Sequence, residues 1–242
     1  KIMKKIILSA LAAFFMVSSA YADTVRMGTE GAYPPYNFIN DNGEVDGFEK
    51  DVGDMLCIRA NLDCVWVINE WDSIIPNLVS GNYDTIIAGM SITAERDEVI
   101  DFTQDYFPPS PSVYMGMSGS DVDLEGGVIA AQTATIQAGY VAESGATLVE
   151  FATAEETISA VQNGEADAVL ADGDYLASII AESGGEFANV GEVSIGGGVG
   201  MGIRESDGDL KATMDKAISS MKEDGSLNAL IKKWFGNDAN TF

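Results

Sequence analysis

The stretch Thr85-Ile-Ile-Ala-Gly-Met-Ser-Ile-Thr-Ala-Glu-Arg96 carries residue types suited to the capture of a carboxylate. An apolar run ending at Gly89 reads as a buried strand delivered to a tight turn. Ser91 and Thr93 then open a helical pattern, with Arg96 close behind. Free N–H groups at a helix start, a hydroxyl and a guanidinium together favour an anion. Arg suits the task because its planar fork meets both carboxylate oxygens at once. The competing reading pairs Arg96 with Glu95 or Asp97 on a solvated helix face.

Several features bound what else the chain can be. Lys1, Lys4 and Lys5 precede an apolar run from Ile6 to Val17, and Ala20-Tyr21-Ala22 is a small-x-small cleavage pattern. That run is shorter than the roughly 20 residues a membrane-spanning helix needs. Residues 1–22 therefore read as a cleaved secretory signal, and a periplasmic location is expected. Three of the 13 Lys and Arg lie in this segment and all 38 Asp and Glu lie beyond it, so the remainder carries a formal net charge of −28. Nucleic acid and anionic membrane surfaces are repelled by such a chain. Hydrophobic residues nevertheless make up 46% of the sequence, in periodic segments that disordered chains lack. No His is present, which removes the usual zinc sites and His-based triads. Neither a metal nor a cofactor is expected. The cysteines Cys57 and Cys64, an even count in an exported chain, predict a disulfide from a helix end to the next strand.

The elements that must position these residues follow from hydrophobic periodicity. Short apolar strands alternate with amphipathic helices, the pattern of an α/β fold. Strands are expected at 25–28, 64–68, 85–88, 113–117, 128–131, 168–171 and 199–203. Helices are expected at 47–61, near 71–79, and at 134–141, 175–182, 209–224 and 226–235, with a further helix opened by a capping box at Thr153-Ala-Glu-Glu156. Pro108-Pro-Ser-Pro111 and Gly196-Gly-Gly198 punctuate the chain on either side of a middle unit. Two lobes would then comprise residues 23–109 with 199–242, and residues 112–195. A single larger sheet with a Pro-rich loop fits the patterning as well.

Motifs along nearly the whole chain resemble one family. Gly28-Thr-Glu-Gly-Ala-Tyr-Pro-Pro-Tyr36, Gly47-Phe48-Glu49, Trp71-Asp-Ser-Ile-Ile-Pro76 and Met90-Ser-Ile-Thr-x-x-Arg96 are similar to the polar amino-acid-binding proteins of bacterial ABC importers. Ala166-Asp-Ala-Val-Leu-Ala-Asp172, Val199-Gly-Met-Gly-Ile-Arg204, Asp224-Gly-Ser226 and Trp234-Phe235 continue the resemblance in order. It implies a two-lobed periplasmic binding protein fold whose lobes close at a hinge around one ligand. It also implies an ABC permease in the inner membrane as partner, and a monomer is expected.

Carried over by position, the resemblance implies a site. Arg96 would clamp the ligand α-carboxylate, helped by Ser91 and by the N–H of Thr135. Asp172 would meet the α-ammonium, with the Gly89 carbonyl as second acceptor. Tyr33 and Trp71 would enclose the side chain, Glu30 would face its far end, and Ala88 and Met90 would complete the lining. Each assignment has a plain rival: Asp172 as a helix cap, Trp71 as core, Glu30 as one more solvated acid. The chain also departs from its relatives. Ala88 and Gly89 stand where many carry hydroxyls, and Gln132-Thr-Ala-Thr135 lacks the usual Gly-Ser/Thr-Thr. These changes spare the backbone donors and bear on side-chain specificity. A cationic or polar amino acid is the first expectation, an opine-like derivative the second. A cyclohexadienyl-dehydratase-like enzyme on the same fold is the enzymatic alternative, with Glu30 as its acid.

Overall fold

The computed structural model describes residues 24–242, so the expected signal segment 1–22 lies outside the described residues. Two five-stranded sheets carry the architecture. In the first, Asp63–Ile68, Thr24–Thr29 and Thr85–Ile86 run parallel, followed by Val199–Ile203, antiparallel to its neighbours, and Asp101–Phe107 at the edge. The second repeats the plan. Thr147–Phe151, Val128–Gln132 and Ala168–Asp172 are parallel, then Ser112–Met117 is antiparallel and Phe187–Val193 closes the edge. The chain passes from one sheet to the other twice, after Phe107 and again between Val193 and Val199. A small antiparallel sheet of Ala32–Tyr33, Asn37–Ile39 and Val45–Asp46 sits apart from both.

Central strands are apolar because both their faces are covered, as parallel sheets require. Met27, Ile86 and Met201 are fully buried in the first sheet, as are Ile129, Ala130 and Val169 in the second. Gly28 is dictated by contact. A Cβ there would come within 2.6 Å of the Tyr83 ring, which packs flat under the strand. Helix starts follow the expected cap chemistry. Thr93 accepts from the Arg96 N–H, Thr135 from the Ala138 N–H, and Thr153 with Glu156 forms a full capping box.

Three differences from expectation have physical reasons. The strand expected at 85–88 pairs only over Thr85–Ile86, because Gly89 turns the chain at φ 63°. The helix expected from 134 begins at Ile136, since Ala134 is held at φ 56°, outside helical space. Asp101–Phe107, Thr147–Phe151 and Phe187–Val193 are strands where none was expected. The second and third are sheet edges, half exposed and mixed in polarity, and the first is an edge whose acids Asp101 and Asp105 pair with Lys211 and Lys222.

The disulfide Cys57–Cys64 ties the end of helix Phe48–Ala60 to the strand Asp63–Ile68, with Cα atoms 6.3 Å apart. Closing so short a loop in the unfolded chain is worth about 2–3 kcal/mol in the chain-entropy account. Replacing both cysteines by serine is expected to lower the urea midpoint by that amount of free energy with ligand recognition intact. An unchanged midpoint would show that the crosslink contributes nothing.

Candidate functional site

A small cavity lies between the two sheets. It sits beyond the C-terminal ends of their parallel strands, where open α/β sheets hold ligands. Its polar groups occupy equivalent places. Glu30 follows Thr24–Thr29, Ala88 and Gly89 follow Thr85–Ile86, Gln132 ends Val128–Gln132, and Asp172 ends Ala168–Asp172. Strand ends deliver side chains and free backbone groups to one plane from each side. Tyr33, Trp71, Ser91, Arg96 and Thr135 also stand in the wall.

Arg96 makes neither of the helix-surface pairs that competed for it. Its Nη1 donates to the Ser91 carbonyl at 2.9 Å and its Nη2 to the Ala134 carbonyl, on the other sheet's side, at 3.3 Å. The Trp71 ring lies 5.4 Å from the guanidinium carbon, a cation–π contact that holds the head in place. Burial lowers the Arg96 pKa to about 10, while Asp172 and Glu95 pull it back up. It stays cationic at any physiological pH, held by carbonyls rather than by a carboxylate.

Asp172 occupies the N-cap position of helix Gly173–Glu182, yet its side chain caps nothing. Its Oδ2 accepts from the Tyr33 hydroxyl at 2.9 Å and its Oδ1 from Gln137 Nε2 at 2.9 Å. Burial raises its pKa, against those two bonds and the attraction of Arg96. Glu30 is 9% exposed, not a solvated acid. Its Oε1 accepts from Gln132 Nε2 at 2.7 Å. Burial pushes its pKa up to about 7, only partly countered by Gln132, with Glu70 and Glu49 adding repulsion. Two carboxylates held by neutral donors thus face the cavity with one guanidinium.

These contacts cross between the sheets. Tyr33 meets Asp172, Gln132 meets Glu30, Arg96 meets the Ala134 carbonyl, and the Tyr33 ring stacks on Tyr175 at 4.0 Å between centroids. Trp71 belongs to the core and also borders the cavity. It is 8% exposed, packs with Ile74, Leu78 and Ile86, and still forms part of the wall. Met90 is the correction. Its side chain is fully buried in that same cluster and its carbonyl accepts from the Gly200 N–H, so it stands behind the wall. The turn at Gly89, φ 63°, is the reason: it breaks the strand, and the residue after it passes into the core while Ser91 returns to the wall.

Sequence reasoning missed Gln132 and Gln137. Gln132 ends a parallel strand, the position already occupied by Asp172 in its own strand, so that rule alone identifies it. Gln137 lies on a helix and reaches Asp172 and Ser112 only through the fold.

A crystal structure of a periplasmic His/Glu/Gln/Arg/opine family-binding protein from Silicibacter pomeroyi, in complex with lysine, is 73% identical. It superposes with a TM-score of 0.88 over 90% of this chain and 100% of that one. The lysine/arginine/ornithine-binding periplasmic protein of Escherichia coli (strain K12) is 31% identical over 96% of this chain and 97% of its own length. The octopine-binding periplasmic protein of Rhizobium meliloti is 30% identical over 98% of both. A family model describing bacterial extracellular solute-binding proteins, family 3, matches residues 25–237, and the chain belongs to that family.

Proposed function

We propose that this protein captures a cationic α-amino acid, lysine or arginine in type, in the periplasm and delivers it to an ABC permease. The observation that carries the reading is the charge arrangement of the cavity. Arg96 suits an α-carboxylate, with Ser91 and the Thr135 N–H beside it. Asp172 suits the α-ammonium, and Glu30 calls for a second cation at the ligand's far end. A carboxylate closed off from water is costly unless paired, so a ligand lacking that cation leaves Glu30 uncompensated. Tyr33 and Trp71 would cover the intervening methylenes.

Capture would bring residues 112–195 against residues 23–109 and 199–242, with the crossovers as hinge. The far field favours the same ligand class. Residues 112–195 contain fourteen Asp and Glu and no Lys or Arg, a potential that concentrates cations at the cleft. An arginine-derived opine is the second reading, supported by the octopine-binding relative. It would bring an extra carboxylate, and Arg96 is the only Lys or Arg in the cavity wall. A free basic amino acid is therefore the better fit. The dehydratase alternative is not carried further, since the relatives named above are binding proteins. A secretory signal at residues 1–22 and a monomeric state complete the proposal.

Arg96→Ala is expected to weaken lysine binding by about 2–5 kcal/mol, the usual cost of truncating one partner of a buried charge pair. Calorimetry showing the variant within threefold of wild type would remove the carboxylate clamp from the account.

Glu30 also gives the affinity a pH signature. A cation bound beside it draws its pKa down from about 7, so binding releases a proton wherever Glu30 was protonated beforehand. Lysine affinity should be level above about pH 7 and fall below it by up to roughly tenfold per pH unit. Glu30→Gln should bind lysine more weakly and flatten that slope, leaving only the share due to Asp172. A wild-type affinity constant from about pH 5 to 8 would contradict the assignment.

A further inference from the structure

Glu49 is fully buried, is not part of the cavity wall, and enters the site described so far only through its repulsion of Glu30. It lies in the first turn of helix Phe48–Ala60 and takes three hydrogen bonds. Its Oε1 accepts from the Gly89 N–H at 2.6 Å and from the Tyr106 hydroxyl. Its Oε2 accepts from Asn37 Nδ2 at 2.6 Å. Asn37, itself fully buried, then uses its Oδ1 to accept the Gly31 N–H at 2.7 Å. Burial pushes the Glu49 carboxyl up in pKa, and the three donors hold it down.

Gly31 and Gly89 are the two left-handed turns of this wall, at φ 72° and 63°. One follows directly on Glu30, and the other is followed by Ser91 and the Arg96 helix. Their N–H groups point away from the cavity and meet through Asn37 and Glu49. The relay spans the two ends of the proposed ligand: the Glu30 end and the carboxylate end.

We propose that Glu49 is a positioning residue whose relay through Asn37 to Gly31 and Gly89 sets the separation of Glu30 from the Arg96 end, and so the ligand chain length selected. This rests on the proposed function, in which Glu30 meets the side-chain cation. Hydrogen-bond polarity explains why an acid stands there. The Gly31 N–H needs an acceptor, so Asn37 turns its oxygen that way and presents its NH₂ to position 49. Position 49 must then accept on both oxygens, from Asn37 on one side and from Gly89 and Tyr106 on the other. A glutamine there has one NH₂, which would face another donor whichever way it is turned.

The test uses the lysine-to-ornithine affinity ratio, which compares ligands differing by one methylene, alongside the melting temperature. Glu49→Gln should shrink the ratio at least fivefold. Combining Glu49→Gln with Asn37→Asp reverses the polarity of the link: the new amide donates to the new carboxylate, which still accepts from Gly31. That pair should return the ratio to within twofold of wild type. Should Glu49→Gln alone fail to fold, Asn37→Ala, which cuts only the Gly31 branch, should shrink the ratio too. Variants that lose melting temperature with the ratio unmoved would reduce Glu49 to a structural acid and overturn the proposal, as would a wild-type ratio within twofold of one. If wild type binds neither ligand, the cationic-ligand reading fails, and this proposal with it.

Discussion

A carboxylate shut away from water has to be neutralised, protonated or bonded, and the cavity holds two of them. Glu30 and Asp172 are each held by neutral donors, Gln132 on one and Tyr33 with Gln137 on the other. Those donors reduce the cost of burial without cancelling it, which is why both acids titrate above their ordinary range. Arg96 presents the reverse case, a half-buried cation solvated by backbone carbonyls. A ligand with one anionic and two cationic groups, as proposed, would complete all three at once. Selectivity then comes from the penalty on incomplete ligands as much as from attraction to the right one.

The rest of the fold serves to keep these three groups fixed and opposed. Two sheets of the same plan face each other across the cavity with their parallel strands ending there, so no long loop is needed to reach the ligand. Behind one wall the Gly31 and Gly89 N–H groups donate to Asn37 and Glu49, which are joined to each other by a further hydrogen bond. Across the cavity, contacts such as Tyr33–Asp172 use the same side chains that would meet the ligand, so binding and closure draw on one set of groups.

Much of this was legible in the sequence, and the limits are physical. Buried central strands such as Val199–Ile203 stand out because both faces are apolar. Helix starts at Thr93, Thr135 and Thr153 stand out because a hydroxyl must satisfy the first free N–H groups. The edge strands Thr147–Phe151 and Phe187–Val193 were illegible because exposure erases their alternation, and Asp101–Phe107 because ion pairs replace apolar contact, whereas the edge strand Asp63–Ile68 kept enough apolar residues to be read. Most of the cavity wall could be placed by residue through the family resemblance. Met90 could not, since its side of the segment depends on where the strand stops. Glu49 reads as an ordinary acid in the first turn of a helix. Its partners Asn37 and Gly89 lie 12 and 40 positions away, and only the folded chain brings them together.

The central claim is that a second positive charge on the ligand, meeting Glu30, decides what is bound. Calorimetry of lysine against norleucine at about pH 8, where Glu30 is ionised, isolates that charge, because norleucine keeps the α-groups and the methylenes and lacks only the ammonium. Lysine should bind at least about tenfold more tightly, a difference of about 1.4 kcal/mol. Norleucine binding within threefold of lysine, or more tightly, would contradict the account.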